Sequence, residues 1–328
     1  MRGRAAPAAR PFRIPTSVGS VIPAPFRALV AGRPADVLGA RPVDGDTWLA
    51  RLPKLIDEHL ARWDLTPDGD PWHGENALVL PVLHDGQPAV VKVGWPHHEA
   101  DLEHLALRLW AGHGAVRLIA ANPAADALLL ERLDASRPLT SASVLDSCET
   151  IGGLFRSLDR EGSPQFPRVA DKARRWRGQL AEADRALPRR LAEQALSTLD
   201  DLLAAPLPGR LVHEDLHDAN VLAPLDPARG DWLAIDPKPV VGEWAYAVAP
   251  VVWNRADVAA RAHNLRAHVR LRADVVADAT GLDLDRAYAW TFVRLVLNAV
   301  WAAGYAPASD DFRGRMITLA KAFADPPD

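Results

Sequence analysis

The chain has 328 residues, 48% of them hydrophobic and 24% charged, a balance typical of a folded globular protein long enough for two lobes. Its formal net charge of −4 provides no excess of positive charge for binding nucleic acid or an anionic membrane. The single cysteine, Cys148, excludes an intramolecular disulfide and a cysteine-rich metal cluster and indicates a reducing, cytoplasmic location. No apolar run approaches the roughly 20 residues that span a bilayer.

The N-terminal segment differs in composition from the rest of the chain. Its first 35 residues carry six arginines and six prolines, and no Asp or Glu precedes Asp36. Basic, proline-rich segments bury too little apolar surface to offset the entropy lost on folding. Residues 1–44 are therefore predicted to form a poorly ordered extension.

The elements that follow indicate a small β-rich lobe. Apolar residues at helical spacing predict an opening helix over 48–60. Apolar runs at 77–83 and 89–93 predict two strands joined by an Asp85-Gly86 hairpin. A helix is predicted over 99–111, ended by a glycine.

Two more strands, 115–119 and 127–133, complete a predicted N-terminal nucleotide-binding lobe over 45–133. The spacing of apolar residues then becomes that of helices, which are predicted at 141–158, 171–204 and 285–303. Two short strands are predicted on either side of a turn at Pro224 and Asp226-Pro227. The prediction is an α+β fold with a helical catalytic and substrate-binding lobe over 134–328.

The stretch "LVHEDLHDANVL", residues 211–222, fits two incompatible enzymes. His213, Glu214 and His217 match H-E-x-x-H, in which two histidines one helical turn apart bind zinc. His213, Asp215 and Asn220 match H-x-D-x-x-x-x-N, the spacing of a kinase catalytic loop. The zinc interpretation requires a helix and a third ligand, for which only Glu243 is a downstream candidate.

The kinase interpretation also needs a cation for the nucleotide phosphates and a residue that holds it. Lys92 lies within the apolar strand "AVVKV", so its ammonium must reach a cleft or an acidic partner. Glu99 and Glu103 follow at a spacing of one helical turn, and either is a candidate partner. The alternative is that Lys92 extends into solvent from an edge strand.

The kinase interpretation also requires oxygen ligands for Mg²⁺. Asp236 follows the apolar strand "WLAI" at the point where the strand ends, and Asn220 closes the loop motif. Carboxylate and amide oxygens suit Mg²⁺. Asp215 is then left to accept or orient the proton of the acceptor hydroxyl.

Five segments together resemble the aminoglycoside/hydroxyurea antibiotic-resistance kinases of the streptomycin 6-phosphotransferase type. These are "PAVVKV", "EHLALRLWAGHGAVRLI", "ALLLERLD", "LVHEDLHDANVL" and "WLAIDPKPVVGEWAYAVAPVVWNR". The resemblance covers roughly residues 45–323 and is most specific at 211–255. It implies a protein-kinase-like two-lobe fold.

The resemblance also implies a role for each matching residue. Asp215 becomes the catalytic aspartate and His213 its orienting neighbour, while Asn220 and Asp236 become the Mg²⁺ ligands. The implied nucleotide-binding residues are Lys92 with its partner Glu103, the hinge residues Glu131, Arg132 and Leu133, and Lys238 of "IDPK" near the phosphates or the acceptor.

Two positions depart from the family pattern. Glu214 stands where the family usually has glycine, and it places a second carboxylate next to Asp215 in the sequence. Ala247 stands where an aspartate more often braces the catalytic loop. These departures keep open the alternative of a nucleotide-binding pseudokinase with a regulatory role.

The predicted function is an ATP- and Mg²⁺-dependent O-phosphotransferase acting on a hydroxyl of a small molecule. The resemblance suggests a streptomycin-like aminocyclitol or hydroxyurea as the acceptor, with an endogenous amino sugar and a zinc hydrolase as further alternatives. No nucleic-acid or membrane partner is expected, and the oligomeric state is open. A cationic acceptor would need an acidic pocket, for which the candidates are Asp218, Glu243, Asp257 and Asp283.

Overall fold

The computed structural model describes residues 22–183, 187–304 and 309–324. The described chain divides into two compact units. One comprises the residues up to Asp101 together with Ile119–Arg132, and the other comprises Leu102–Leu118 and the residues from Leu133 onward. The first is built on a sheet and the second is mainly helical, which confirms the predicted α+β class.

The described part of the first unit contains two α-helices and a six-stranded sheet. The helices are α1 (Ala24–Val30) and α2 (Gly45–Arg62). The strands are β1 (Thr66–Pro67), β2 (Trp72–His73), β3 (Ala77–His84), β4 (Gln87–Gly94), β5 (Leu118–Asn122) and β6 (Ala127–Glu131). Their order is β1-β3-β4-β6-β5, with β2 also pairing with β3.

The predicted hairpin is confirmed. Asp85 and Gly86 connect β3 to β4, and both have positive φ angles, 49° and 73°. Such a pair gives the two-residue turn whose twist matches that of antiparallel strands. The strands after it differ from the prediction, since β5 begins three residues later than expected and β6 ends at Glu131.

The prediction of a poorly ordered segment over 1–44 is wrong for residues 22–44, while residues 1–21 lie outside the described residues. Ile22, Phe26 and Val30 recur every four residues, so α1 presents an apolar stripe that is buried in the core of the sheet-containing unit. Gly45 allows α2 to begin against α1, because a Cβ there would lie 2.0 Å from the carbonyl oxygen of Val30.

The helix predicted over 99–111 begins only at Glu103 and belongs to the second unit as α3 (Glu103–Trp110). The segment before it is held by other hydrogen bonds. The backbone N–H of His98 donates to Asp36 at 2.9 Å, and that of Ala40 donates to Asp101 at 2.9 Å. Glu99 therefore lies in a turn and does not share a helix face with Glu103.

The second unit contains the remaining elements. Its other helices are α4 (Val144–Leu158), α5 (Val169–Ala181), α6 (Arg189–Leu202), α7 (Ala249–Trp253), α8 (Ala256–Ala259), α9 (Leu265–Thr280), α10 (Leu284–Ala303) and α11 (Asp310–Phe323). Its strands are β7 (Leu133–Pro138), β8 (Arg160–Glu161), β9 (Arg210–His213), β10 (Val221–Pro224), β11 (Leu233–Ala234) and β12 (Pro239–Gly242). They form two three-stranded sheets, β11-β10-β7 and β12-β9-β8.

Most of the predicted helices are confirmed, with 171–204 divided into α5 and α6. Helix α10 lies in the core of the second unit, where Trp290, Phe292 and Val296 are buried. In the described ranges, no helix combines the length and the apolar character that crossing a bilayer would require.

Candidate active site

Two short strand pairs carry the candidate catalytic residues. Strand β12 pairs with β9 so that Pro239 lies opposite His213, and β11 pairs with β10 so that Ala234 lies opposite Val221. The residues between these pairs face each other across two backbone hydrogen bonds. The N–H of Glu214 donates to Lys238 O at 3.0 Å, and that of Ile235 donates to Asn220 O at 2.9 Å. The segments 213–220 and 235–239 are thereby aligned.

This arrangement decides between the two interpretations of the motif. Residues 211–213 belong to strand β9, and a short 3-10 turn over Asp218–Asn220 leads into β10. His213 and His217 therefore do not lie on one helix face, as H-E-x-x-H zinc binding requires. Among the residues that the structure describes, no three His, Cys, Asp or Glu side chains gather as a metal-binding set. The zinc hydrolase alternative is wrong.

His213 fixes the start of the catalytic loop. Its side chain is fully buried, and its Nδ1 accepts the backbone N–H of Asp215 at 3.3 Å. The other ring nitrogen, Nε2, lies 3.0 Å from Ile235 O, so it carries the proton and donates it. Burial lowers the pKa of His213 to about 4, although the Ile235 carbonyl opposes the shift. The neutral imidazole thus ties the loop to the segment that leads into Asp236.

Asp215 and Asn220 are held together within the loop. The amide nitrogen of Asn220 donates to Asp215 O at 2.9 Å, which leaves its Oδ1 as the atom suited to a cation. The Asp215 carboxylate forms an ion pair with Lys238, with Nζ 2.8 Å from Oδ2. Both side chains keep about a quarter of their surface exposed, so the pair remains accessible to an incoming molecule.

Asp236 adopts an unusual backbone conformation. Its φ is 56°, in the left-handed region that costs a non-glycine residue about 1–3 kcal/mol. Residues held in such conformations cluster at functional sites, because the surrounding structure must compensate for the strain. Asp236 directly follows Ile235, whose N–H is bonded to Asn220 O. The structure therefore brings the two predicted magnesium ligands, both hard oxygen donors, onto adjoining segments.

The predicted nucleotide-binding residues are distributed over both units. Lys92 lies in β4 of the first unit, half-buried between the cross-strand neighbours Val79 and Leu128. Glu103 is the first residue of α3 in the second unit and is buried.

The predicted hinge residues lie at one of the three places where the chain passes between the two units, the one after Arg132. Glu131 ends β6 and Leu133 begins β7. Between them, Arg132 forms an ion pair with Asp68, with Nη2 and Oδ2 separated by 2.6 Å. Its side chain is thus engaged within the first unit.

Glu214 belongs to a cluster that sequence reasoning missed. Its carboxylate accepts two 2.6 Å hydrogen bonds from Lys172 Nζ and one from the Tyr246 hydroxyl, and it lies 3.9 Å from Arg294 Nη2. Burial would raise the pKa of Glu214, but the positive charges of Lys172 and Arg294 prevail and lower it to about 2. The second carboxylate beside Asp215 is therefore compensated. The partners of Glu214 lie on α5, α10 and the 3-10 turn Trp244–Val248. Because they are far apart in the sequence, no local sequence pattern predicts this cluster.

The four acidic candidates for a cationic acceptor all have partners within the protein. Asp218 pairs with Arg255 at 2.8 Å, and Asp257 pairs with Arg261 at 3.0 Å. Glu243 accepts hydrogen bonds from Arg286 and Trp290, and Asp283 accepts the N–H of Arg286 at the start of α10. Each carboxylate is already engaged by a group of the protein, so the prediction that they supply an acidic pocket gains no support.

Comparison with known proteins identifies a family and relatives to which the chain is similar. A model of the family described as aminoglycoside/hydroxyurea antibiotic resistance kinase matches residues 62–305. A streptomycin 6-kinase from Streptomyces glaucescens is 40% identical over 288 residues, which cover 85% of this chain and 91% of that protein. A hydroxyurea phosphotransferase from Kitasatospora aureofaciens is 36% identical over 274 residues, covering 78% and 75%.

The fold is similar to that of a solved choline/ethanolamine kinase family protein from Mesorhizobium loti. The TM-score is 0.59 at 15% identity, covering 83% of this chain and 96% of that one. This likeness confirms the kinase-like fold expected from the sequence. Because the family model matches most of the chain and these two relatives are 40% and 36% identical over 91% and 75% of their own lengths, the chain belongs to the aminoglycoside/hydroxyurea antibiotic resistance kinase family.

Proposed function

We propose that the chain transfers the γ-phosphoryl group of ATP to a hydroxyl of a small antibiotic, either a streptomycin-like aminocyclitol or hydroxyurea, and thereby inactivates it. The observation that carries the proposal is the alignment of the Asp215–Asn220 loop with the Asp236–Lys238 segment. The names of the similar proteins, streptomycin 6-kinase and hydroxyurea phosphotransferase, support the acceptor class. We also propose a cytoplasmic location, where ATP is available.

Asp215 has the central role in the proposed reaction. Its carboxylate orients the acceptor hydroxyl and accepts its proton as the oxygen bonds to the γ-phosphorus and the bond to the departing ADP oxygen breaks. Lys238 holds this carboxylate in place and brings a positive charge close to the transferring phosphoryl group. His213 and Asn220 fix the backbone of the loop on either side.

Asn220 and Asp236 would hold Mg²⁺, which suits their amide and carboxylate oxygens. When bound, the ion offsets the negative charge of the phosphates. Lys92 is proposed to contact the α- and β-phosphates and the backbone of Glu131–Leu133 to pair with adenine, and Glu103 is proposed as a further nucleotide-binding residue. Residues 45–133 would then serve mainly in nucleotide binding, and residues 134–328 in catalysis and acceptor binding.

The pseudokinase alternative depended on Glu214 and Ala247. The charge of Glu214 is compensated by Lys172 and Arg294. Arg294 also donates from Nη1 to Glu214 O at 3.1 Å, so the catalytic loop has a brace despite the alanine at 247. Neither departure therefore argues against turnover.

The test is acceptor-dependent release of ADP. Purified protein with ATP and Mg²⁺ would be incubated with streptomycin, other aminoglycosides, hydroxyurea and simple amino sugars, and the product would be identified by mass. We expect phosphorylated streptomycin or hydroxyurea, lost in Asp215→Ala and retained in Asp226→Ala, which changes an exposed turn residue. ATP binding without turnover on any acceptor would refute the proposal.

A further inference from the structure

The peptide group that joins Glu214 to Asp215 is held at both ends, by a fully buried histidine and by an arginine whose side chain is only 11% exposed. Its carbonyl oxygen accepts a hydrogen bond from Arg294 Nη1 at 3.1 Å. Its N–H, which belongs to Asp215, donates to His213 Nδ1 at 3.3 Å. The orientation of this peptide plane determines where the Asp215 side chain starts, so its two anchors control the position of the proposed catalytic carboxylate.

Arg294 reaches this peptide from α10, which is distant in sequence. Its Nη1 also donates to Tyr246 O at 3.0 Å, so one nitrogen joins the catalytic loop to the 3-10 turn Trp244–Val248. The guanidinium lies over the rings of Tyr246 and Trp253, at 4.3 Å and 4.8 Å from their centroids. Stacking on two rings and two carbonyl acceptors restrict the planar guanidinium to one orientation.

Glu214 helps to fix the position of Arg294 relative to the catalytic loop. Its carboxylate is adjacent to the Arg294 guanidinium and is bound by Lys172 and Tyr246, so backbone and side chain of the same loop residue are anchored. Because the pKa of Glu214 is lowered to about 2, the carboxylate remains charged at every pH where an enzyme assay is practical. Asp215 is bound by a different partner, Lys238. The two consecutive carboxylates thus have separate roles.

We propose that Arg294, with Glu214 and Lys172, is a positioning unit that orients the Asp215 peptide for phosphoryl transfer and does so in place of a carboxylate at position 247. The side chain at 247 is only a methyl group and is completely buried, so it cannot accept or donate a hydrogen bond to the loop. The proposal rests on the proposed function, since the quantity it predicts is the rate of that reaction.

The chain offers a matched control on the same helix. Arg286 also extends from α10 and also binds a buried glutamate, donating from Nε to Glu243 at 2.9 Å and from Nη2 to Leu202 O at 3.2 Å. Among the described residues, the side-chain hydrogen bonds of Arg286 go to Glu243 and Leu202, and neither belongs to the catalytic loop. Arg294→Met and Arg286→Met each remove one guanidinium that compensates a buried carboxylate, and only the first releases the Asp215 peptide.

The experiment compares kcat, the KM for ATP and the melting temperature in wild type and both variants. We expect both variants to melt at lower temperature. In Arg294→Met we expect kcat to fall by about tenfold to a hundredfold, as small misplacements of a catalytic group do, with little change in the KM for ATP. Arg294→Lys should recover part of the loss, and Arg286→Met should keep the wild-type kcat. Equal kcat in the two methionine variants would overturn the proposal.

A second variant covers the case in which Arg294→Met does not fold. Glu214→Gln retains the shape and the hydrogen bond with Tyr246 but removes the charge that Lys172 and Arg294 share, and we expect kcat to fall with an unchanged KM for ATP. An unchanged kcat in folded Glu214→Gln would count against the positioning unit. Failure of the proposed function looks different, because the wild-type protein itself would then phosphorylate none of the acceptors.

Discussion

Replacement of Lys238 by methionine tests the centre of the proposed site. The substitution keeps the length and apolar stem of the side chain and removes the ammonium that lies 2.8 Å from Asp215 Oδ2. A hydrogen bond between charged groups contributes about 1.5–3 kcal/mol. Since 1.36 kcal/mol changes a rate tenfold, we expect kcat to fall by about tenfold to 150-fold if the pair is needed to orient Asp215 in the transition state.

The assay is coupled ADP release at saturating ATP and acceptor, with the melting temperature measured in parallel. Lys54→Met is the control, because Lys54 pairs with Glu58 at 3.6 Å on the exposed face of α2, where such pairs contribute at most about 1 kcal/mol. A Lys238→Met enzyme with a kcat equal to that of the Lys54→Met enzyme would refute the assignment. The ion pair with Asp215 would then serve only the fold.

Three other predictions follow from burial and charge. Because the pKa of His213 is lowered to about 4 and that of Glu214 to about 2, both groups resist protonation in the folded state. The contribution of His213 should be complete above about pH 6.5 and lost as the pH falls through 4, and that of Glu214 should be lost between about pH 4.5 and 2. The free energy of unfolding of the wild type, measured with urea as a function of pH, should show both losses. In His213→Gln the decrease between pH 6.5 and 4 should be smaller. The same decrease in wild type and His213→Gln would contradict the buried neutral histidine. Phe26→Ala should lower the free energy of unfolding by about 3–5 kcal/mol, since the ring is completely buried, whereas Leu29→Ala on the exposed face of the same helix should have a small effect; equal effects would mean that α1 is not part of the core. Asp236→Asn should raise the Mg²⁺ concentration needed for half-maximal turnover, and an unchanged Mg²⁺ dependence would remove Asp236 from the proposed metal site.

The proposed catalytic loop could be located from the sequence because its parts lie close together along the chain. Asp215 and Asn220 belong to one contiguous motif, and Asp236 directly follows an apolar strand. The order of residue types along a short segment is enough to indicate such a site. The hairpin at Asp85-Gly86 was predictable for a similar reason, since its backbone conformation depends on those two residues.

Other predictions failed where distant residues compete with local preference. The start of α3 moved from Glu99 to Glu103 because Asp36 and Ala40 take up hydrogen bonds in the preceding segment. The overall composition of residues 1–44 concealed the apolar stripe of α1, whose burial depends on a core formed by later elements.

The sequence by itself determined the class of fold and the family and indicated the proposed catalytic loop, because spacing and residue type are local properties of the chain. Only the tertiary structure showed that Glu214 is bound by Lys172 and Arg294 and that Arg294 reaches the peptide preceding Asp215. Those residues come from α5, α10 and the catalytic loop, and no periodicity links them. A buried charge is stable only when partners surround it in three dimensions, so its compensation is decided by packing.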